Sequence, residues 1–357
     1  MKFIFFGTPD FAKIILEKLV KANFIPVTIV TNPDRPVGRK KVLTSPPVKS
    51  LIVKCQMSNV KCSAEVLQPE NLSAISHMLR AIRPEFGILA AYGKIIPKEI
   101  IDIFSRGIIV VHPSLLPKYR GATPIQSAIL AGEKETGTTL IVMDEKVDHG
   151  PILANSKWQI ANSDDYETLS KKLAELSGNL LIETLPKYLN GEIKPQAQNH
   201  SQATYTKKLT TADGFINYDD LIRSCHPDEP LGEEGSRGEA SLRAAESGEA
   251  ISTTNIRKIA SPRPALRSEA RDDNARSIWL KIRALNPEPG VWTILNSEQS
   301  SLLCDRTRAK KNSPSATPQS GVAAEERRMK ILAADLINGK LVLRKIQFEG
   351  ERPKEVF

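Results

Sequence analysis

From Lys2 to Leu189 short apolar runs alternate with segments that carry apolar residues at helical spacing. No other feature restricts the folding of this chain so strongly. Lys2–Phe6, Phe24–Val30, Phe86–Ala91, Ile108–Val111 and Thr139–Met143 read as strands. Phe11–Ala22 places Phe11, Ile14, Ile15 and Leu19 on one helical face, and Leu72–Ile82, Thr123–Ala131 and Tyr166–Leu189 also read as helices. Strands separated by helices imply βαβ units, so the expected class is α/β with a mostly parallel sheet.

Asn190–Ala203 is polar, carries Gly191 and Pro195, and reads as a linker. Residues 1–189 are therefore expected to form one domain and 204–357 a second. Beyond the linker, Gly214–Tyr218, Gly290–Ile294, Met329–Ala333 and Gly339–Leu343 are short and turn-bounded, which suggests a small β-rich domain of barrel type. Residues 224–275 and 297–327 are rich in small and charged residues with little apolar periodicity, and read as loops or disordered insertions.

No apolar run in the 357 residues is long enough to cross a membrane. The opening apolar run is short and ends in Gly7, unlike a signal peptide. Cys55, Cys62, Cys225 and Cys304 are scattered, without CxxC spacing, so neither a zinc site nor a disulfide framework is expected and a reducing cytoplasm is the simplest compartment. A formal net charge of +9 points toward a polyanionic partner without requiring one.

The residues able to do chemistry cluster behind two of the expected strands. His112 ends one strand, and Asp148 follows another, in Asp144-Glu145-Lys146-Val147-Asp148-His149-Gly150. Strand ends of an open α/β sheet are where ligands bind. A histidine titrates near neutrality and a carboxylate can hold its tautomer. Such a pair can help an amine attack a carbonyl, the imidazolium stabilising the oxyanion and the carboxylate taking the amine proton. A strand-capping histidine and a surface aspartate would look the same in sequence. Gly7-Thr8-Pro9-Asp10 lacks the G-x-G-x-x-G pattern and reads as an ordinary βα turn, giving no support for a bound dinucleotide. Arg35, Arg39, Lys40 and Lys41 crowd a loop that contains a single acid, Asp34. Such a loop can grip phosphates or simply be solvated. No metal-ligand spacing is present.

Taken together, Phe6–Ala12, Asn32–Arg39, Leu67–Glu70, Ala90–Pro97, His112–Gly121, Ala122–Gln126, Glu135–Gly137, Met143–Gly150 and Ile282–Gly290 resemble the methionyl-tRNA formyltransferase family. The resemblance covers nearly all of 1–222, 276–296 and 328–352. It implies a Rossmann-like catalytic domain followed by an OB-like β-barrel domain. The implied activity is transfer of a formyl group from 10-formyltetrahydrofolate to the amino group of methionyl initiator tRNA. It assigns His112 and Asp148 to catalysis and Ser114, Leu115, Leu116 and Pro117 to tetrahydrofolate contact. It assigns the loop with Arg35, Arg39, Lys40 and Lys41 to the tRNA acceptor arm. No metal and no membrane are implied, and a monomer in the cytoplasm is the expected form.

One departure matters for chemistry. The family motif is Asn-x-His, and its asparagine polarises the formyl carbonyl. Here that position is Val110, which has no donor. Losing one donor to a developing oxyanion typically costs ~3 kcal/mol. Two other readings therefore stand beside the first: a formyltransferase of a small amine such as a sugar or glycinamide ribonucleotide, and a catalytically impaired relative that still binds tRNA or folate.

Overall fold

The computed structural model describes residues 1–37, 40–57, 64–225, 264–295 and 327–356. It divides into two compact units, Met1–Leu209 and Thr210–Phe357.

In the first unit, β1 (Phe3–Gly7) is buried throughout and feeds α1 (Asp10–Lys21), which turns Phe11, Ala12, Ile15, Leu16 and Leu19 inward. A side chain at Gly7 would meet the Cβ of Ala12 at 2.7 Å, so only glycine lets the helix start this close to the strand. After β2 (Thr28–Val30) comes a hairpin, β3 (Arg35–Val37) and β4 (Val42–Thr44), and then α2 (Pro47–Met57) and β5 (Glu65–Leu67). A short 3₁₀ turn leads into α3 (Ser76–Ile82), followed by β6 (Phe86–Ala90), α4 (Lys98–Ile101) and β7 (Ile108–His112). The chain continues through β8 (Arg120–Gly121), α5 (Pro124–Leu130), β9 (Glu135–Val142), β10 (Ile152–Gln159), α6 (Tyr166–Leu189) and β11 (Tyr205–Thr206).

The main sheet has the order β10-β9-β7-β6-β1-β2-β5. Its five strands from β7 to β5 run parallel, while β9 and β10 are antiparallel additions. The chain leaves β1 toward β2 and β5, then returns to place β6 on the other side of β1. That reversal opens a crevice at the carboxyl ends of β1 and β6, the usual ligand position in such sheets. Ile4 and Phe6 of β1 pack with Val30, Leu79, Ile100 and Phe104 in one buried cluster. The helix α6 starts at a capping box: the Asp165 carboxylate accepts from Thr168 N at 2.9 Å, and Thr168 Oγ1 accepts from Asp165 N at 2.9 Å. This satisfies two otherwise orphaned N–H groups.

Several expectations are adjusted here. The strand expected at Thr139 begins at Glu135, and β10 adds an eight-residue strand that the sequence pattern left unassigned. β10 alternates half-buried and exposed positions, so it has no apolar run to betray it. Residues 190–203 pack onto the first unit: Gln196 bridges to Ile152, and Gln198 is buried.

The second unit holds α7 (Tyr218–Cys225), α8 (Pro264–Leu285) and an antiparallel sheet of β12 (Val291–Leu295), β13 (Arg327–Ile337), β14 (Lys340–Phe348) and β15 (Lys354–Glu355). The described strands form an open sheet, not a closed barrel. The strand expected over Gly214–Tyr218 reduces to a bridge between Phe215 and Trp292, because Asn217 Oδ1 accepts from Asp219 N and starts α7. Residues 264–275, read from sequence as insertion, belong to α8. Ala265, Leu266, Glu269, Ala270 and Arg271 are good helix formers, and propensity rather than apolar pattern is the signal there. The remainder of the expected insertions, 226–263 and 297–326, lies outside the described residues.

Leu173 is fully buried on α6 and Glu175 is exposed on the same helix. Leu173→Ala is expected to lower unfolding stability by about 2–5 kcal/mol, whereas Glu175→Ala should change it by no more than about 0.5 kcal/mol. Urea unfolding of the two variants checks this, and similar midpoints would contradict the packing.

Candidate active site

His112 is the last residue of β7, and its side chain is almost wholly enclosed. Its Nε2 lies 2.9 Å from the carbonyl oxygen of Tyr119, which can only accept, so Nε2 carries a proton and donates it there. The other nitrogen, Nδ1, is left facing Asp148 Oδ2 at 3.5 Å. That is ion-pair range but longer than a strong hydrogen bond.

Asp148 is held in place by main chain. Its Oδ2 accepts from Gly121 N at 2.7 Å, and its own backbone takes a left-handed φ of 48°. A non-glycine residue there is strained, and such strain persists only where the surroundings enforce it. One short strap, Tyr119 to Gly121, thus orients both members of the pair. Two residues on, a side chain at Gly150 would meet the carbonyl oxygen of Val142 at 1.8 Å, so the loop can close only with glycine.

The pair opens into a cavity of about 1070 Å³ in the first unit. This exceeds the usual volume of a pocket for one small ligand, so two reactants can sit together. One wall is largely apolar, formed by Leu89, Ile96, Val110, Ile141 and Met143, with the segments 91–95 and 144–147 along it. The first turn of α1 and the first turns of α6 also line the cavity, including Lys13, Tyr166, Ser170 and Lys171. Tyr92 lines the cavity and is 1% exposed, and burial pushes its phenol up to about 12. Among the described residues no cluster of three His, Cys, Asp or Glu could hold a metal ion.

The structure gathers Val110, His112 and Asp148 on this cavity. Val110 is 6% exposed and packs with Leu116 and Ile141. The expected folate-contact residues Ser114, Leu115, Leu116 and Pro117 follow His112 directly in the chain and are not among the residues that line this cavity. Ser114 is fully buried, its hydroxyl donating to Lys118 O at 2.7 Å and its carbonyl accepting from Thr139 Oγ1 at 2.7 Å. Leu116 packs against Val110 and Ile141 of the cavity wall.

Arg35, Lys40 and Lys41 are exposed on the β3–β4 hairpin, away from the cavity lining, and Arg39 lies outside the described residues. The hairpin is anchored at its base by Asp34, which accepts from Gln68 Nε2 at 2.7 Å and Lys49 Nζ at 2.9 Å. Gln68 first, then Lys49, holds this carboxyl below its ordinary range. The single acid of the loop is therefore turned toward the scaffold, and its ion pair is with Lys49, not with Arg35, Lys40 or Lys41.

Sequence reasoning missed Arg120 and Gln198. Arg120 is 1% exposed, and Gln198 Nε2 donates to the carbonyls of Asp148 and Gly150. A polar segment after a long helix carries no chemical signature, so Gln198 was legible only as linker.

Residues 1–185 match the family model described as formyl transferase, and residues 271–356 match that of the formyl transferase C-terminal domain. The curated methionyl-tRNA formyltransferase of Kosmotoga olearia is 32% identical over 358 aligned positions, covering 99% of this chain and 93% of that protein. The methionyl-tRNA formyltransferase of Caldicellulosiruptor saccharolyticus is 45% identical over 223 residues, covering 61% of this chain and 69% of that protein. Among solved structures, a 4-N formyltransferase from Francisella tularensis is similar with a TM-score of 0.51 at 14% identity, over 84% of this chain and 93% of that one. At that identity the likeness concerns the fold. By its family matches and its nearly full-length relative, the chain belongs to the formyl transferase family.

Proposed function

We propose that this chain transfers a formyl group from 10-formyltetrahydrofolate to the amino group of methionyl initiator tRNA. The observation that carries the reading is the His112–Asp148 pair at the head of a cavity large enough for two reactants. The nearly full-length relative bears the name methionyl-tRNA formyltransferase, which favours this acceptor over a small amine.

The cavity suits a folate by its chemistry. A flat heteroaromatic ring needs apolar faces and polar groups at its edge, and the wall of Leu89, Val110, Ile141 and Met143 flanked by 91–95 and 144–147 offers both. These residues would hold the folate together with the neighbouring segment Ser114, Leu115, Leu116 and Pro117, of which Leu116 packs against Val110 and Ile141. The bound folate supplies the activated formyl group.

The remaining steps belong to the protein. Asp148 accepts the proton that the attacking amine sheds. His112, its Nε2 fixed on Tyr119 O, presents Nδ1 to the reacting centre. When protonated, that nitrogen stabilises the carbonyl oxygen as negative charge grows and returns a proton to the departing nitrogen. Val110 contributes no donor, so oxyanion stabilisation rests more heavily on His112 than an asparagine neighbour would require. Arg35, Arg39, Lys40 and Lys41 meet the phosphates of the acceptor arm.

Three outcomes are expected. His112→Ala and Asp148→Asn should each lower kcat by about 10²–10⁴ in formylation of charged initiator tRNA. Retention of the unaltered rate by either variant removes that residue from the mechanism. Val110→Asn should raise kcat, by up to about a hundredfold if the amide reaches the formyl oxygen, and lower the melting temperature because a buried amide replaces packed methyls. An unchanged or lower kcat in a folded variant shows that this protein polarises the carbonyl by another group. Replacing Arg35, Lys40 and Lys41 together by alanine should reduce the slope of log affinity against log salt by about one per lost phosphate contact. An unchanged slope refutes the hairpin assignment.

A further inference from the structure

The loop that carries Asp148 is held by a side chain from a distant part of the sequence. Gln198 is 6% exposed, and its Nε2 lies 2.9 Å from Asp148 O and 2.7 Å from Gly150 O. An amide nitrogen has two hydrogens, so both are used on this one loop. Gln198 Oε1 in turn accepts from Arg120 at 2.5 Å. The same guanidinium reaches His200 Nδ1 at 2.9 Å and Tyr205 Oη at 3.2 Å. Arg120 directly precedes Gly121, whose N–H binds the Asp148 carboxylate. The Asp148 side chain and main chain are thus tied to one strap by two routes, directly through Gly121 and indirectly through Gln198 and Arg120. The left-handed backbone at Asp148 is what such ties would have to maintain.

We propose that Gln198 is a positioning residue for formyl transfer: by clamping the carbonyls of Asp148 and Gly150 onto Arg120, it keeps the Asp148 carboxylate opposite His112. It touches neither reactant and acts only through Asp148. The proposal rests on the assignment of Asp148 to proton transfer made above.

The test uses the full chain, charged initiator tRNA and 10-formyltetrahydrofolate, below the melting temperature of every variant. Gln198→Ala should lower kcat by about ten- to a hundredfold, since small misplacement of a catalytic group is costly, with KM for both substrates within about twofold. Gln198→Glu should lose as much. A carboxylate can keep Arg120 but has no N–H for the two carbonyls, so a role limited to satisfying Arg120 would leave this variant active. In an Asp148→Asn background, followed by single turnover at high enzyme concentration, Gln198→Ala should cause no further loss, because residues acting through one another are not additive. An unaltered kcat in Gln198→Glu, or the same fold-loss from Gln198→Ala in both backgrounds, overturns the clamp. Failure of the underlying reading looks different: Asp148→Asn would itself keep the unaltered rate, whereas failure of the clamp leaves Asp148→Asn impaired and the Gln198 variants normal.

Discussion

The hydrogen bond from Gly121 N to the Asp148 carboxylate is the contact on which the site depends. It joins two loops that leave different strands, one after β7 and one after β9. The strap containing Gly121 also fixes His112, because Tyr119 two residues earlier accepts from Nε2. Without that strap Nδ1 has no defined direction, and the 3.5 Å approach to Asp148 would not be held. The geometry of an acid–base pair is thereby set by backbone groups.

The sheet places this strap where it can work. β1 and β6 adjoin with their connections running in opposite directions, so no crossover covers their carboxyl ends. The first turn of α1 and the turn after β6 both line the resulting cavity. β7 lies next to β6 and delivers His112 to the cavity head. The antiparallel strand β9 runs beside β7 and ends next to Ile109, and the loop that follows it carries Asp148 back to His112.

Much of this was legible in the chain. The alternation of apolar runs and helical stripes gave the α/β class, and α6 was bounded at Tyr166 and Leu189 as observed. His112 and Asp148 stood out because ionisable residues followed buried runs. What escaped has physical reasons. β10 is an edge strand with alternating exposure, and short alternating segments resemble loops. Residues 264–275 form helix with few apolar landmarks. Gln198 is a neutral residue in a polar stretch, and its importance lies in three hydrogen bonds to residues 48 to 78 positions away.

Val110 makes the chemistry of this chain unusual for its expected motif. It packs against Leu116 and Ile141 where a donor was expected, so the wall beside His112 is apolar. In the proposed mechanism His112 must then carry more of the charge developing on the formyl oxygen. A direct measurement of the central claim is single-turnover transfer by the unaltered chain, with labelled 10-formyltetrahydrofolate and initiator tRNA charged with methionine. The account predicts label on the methionine amino group, and none when that amino group is blocked beforehand. Binding of both substrates with no label transferred to free methionyl-tRNA would contradict it.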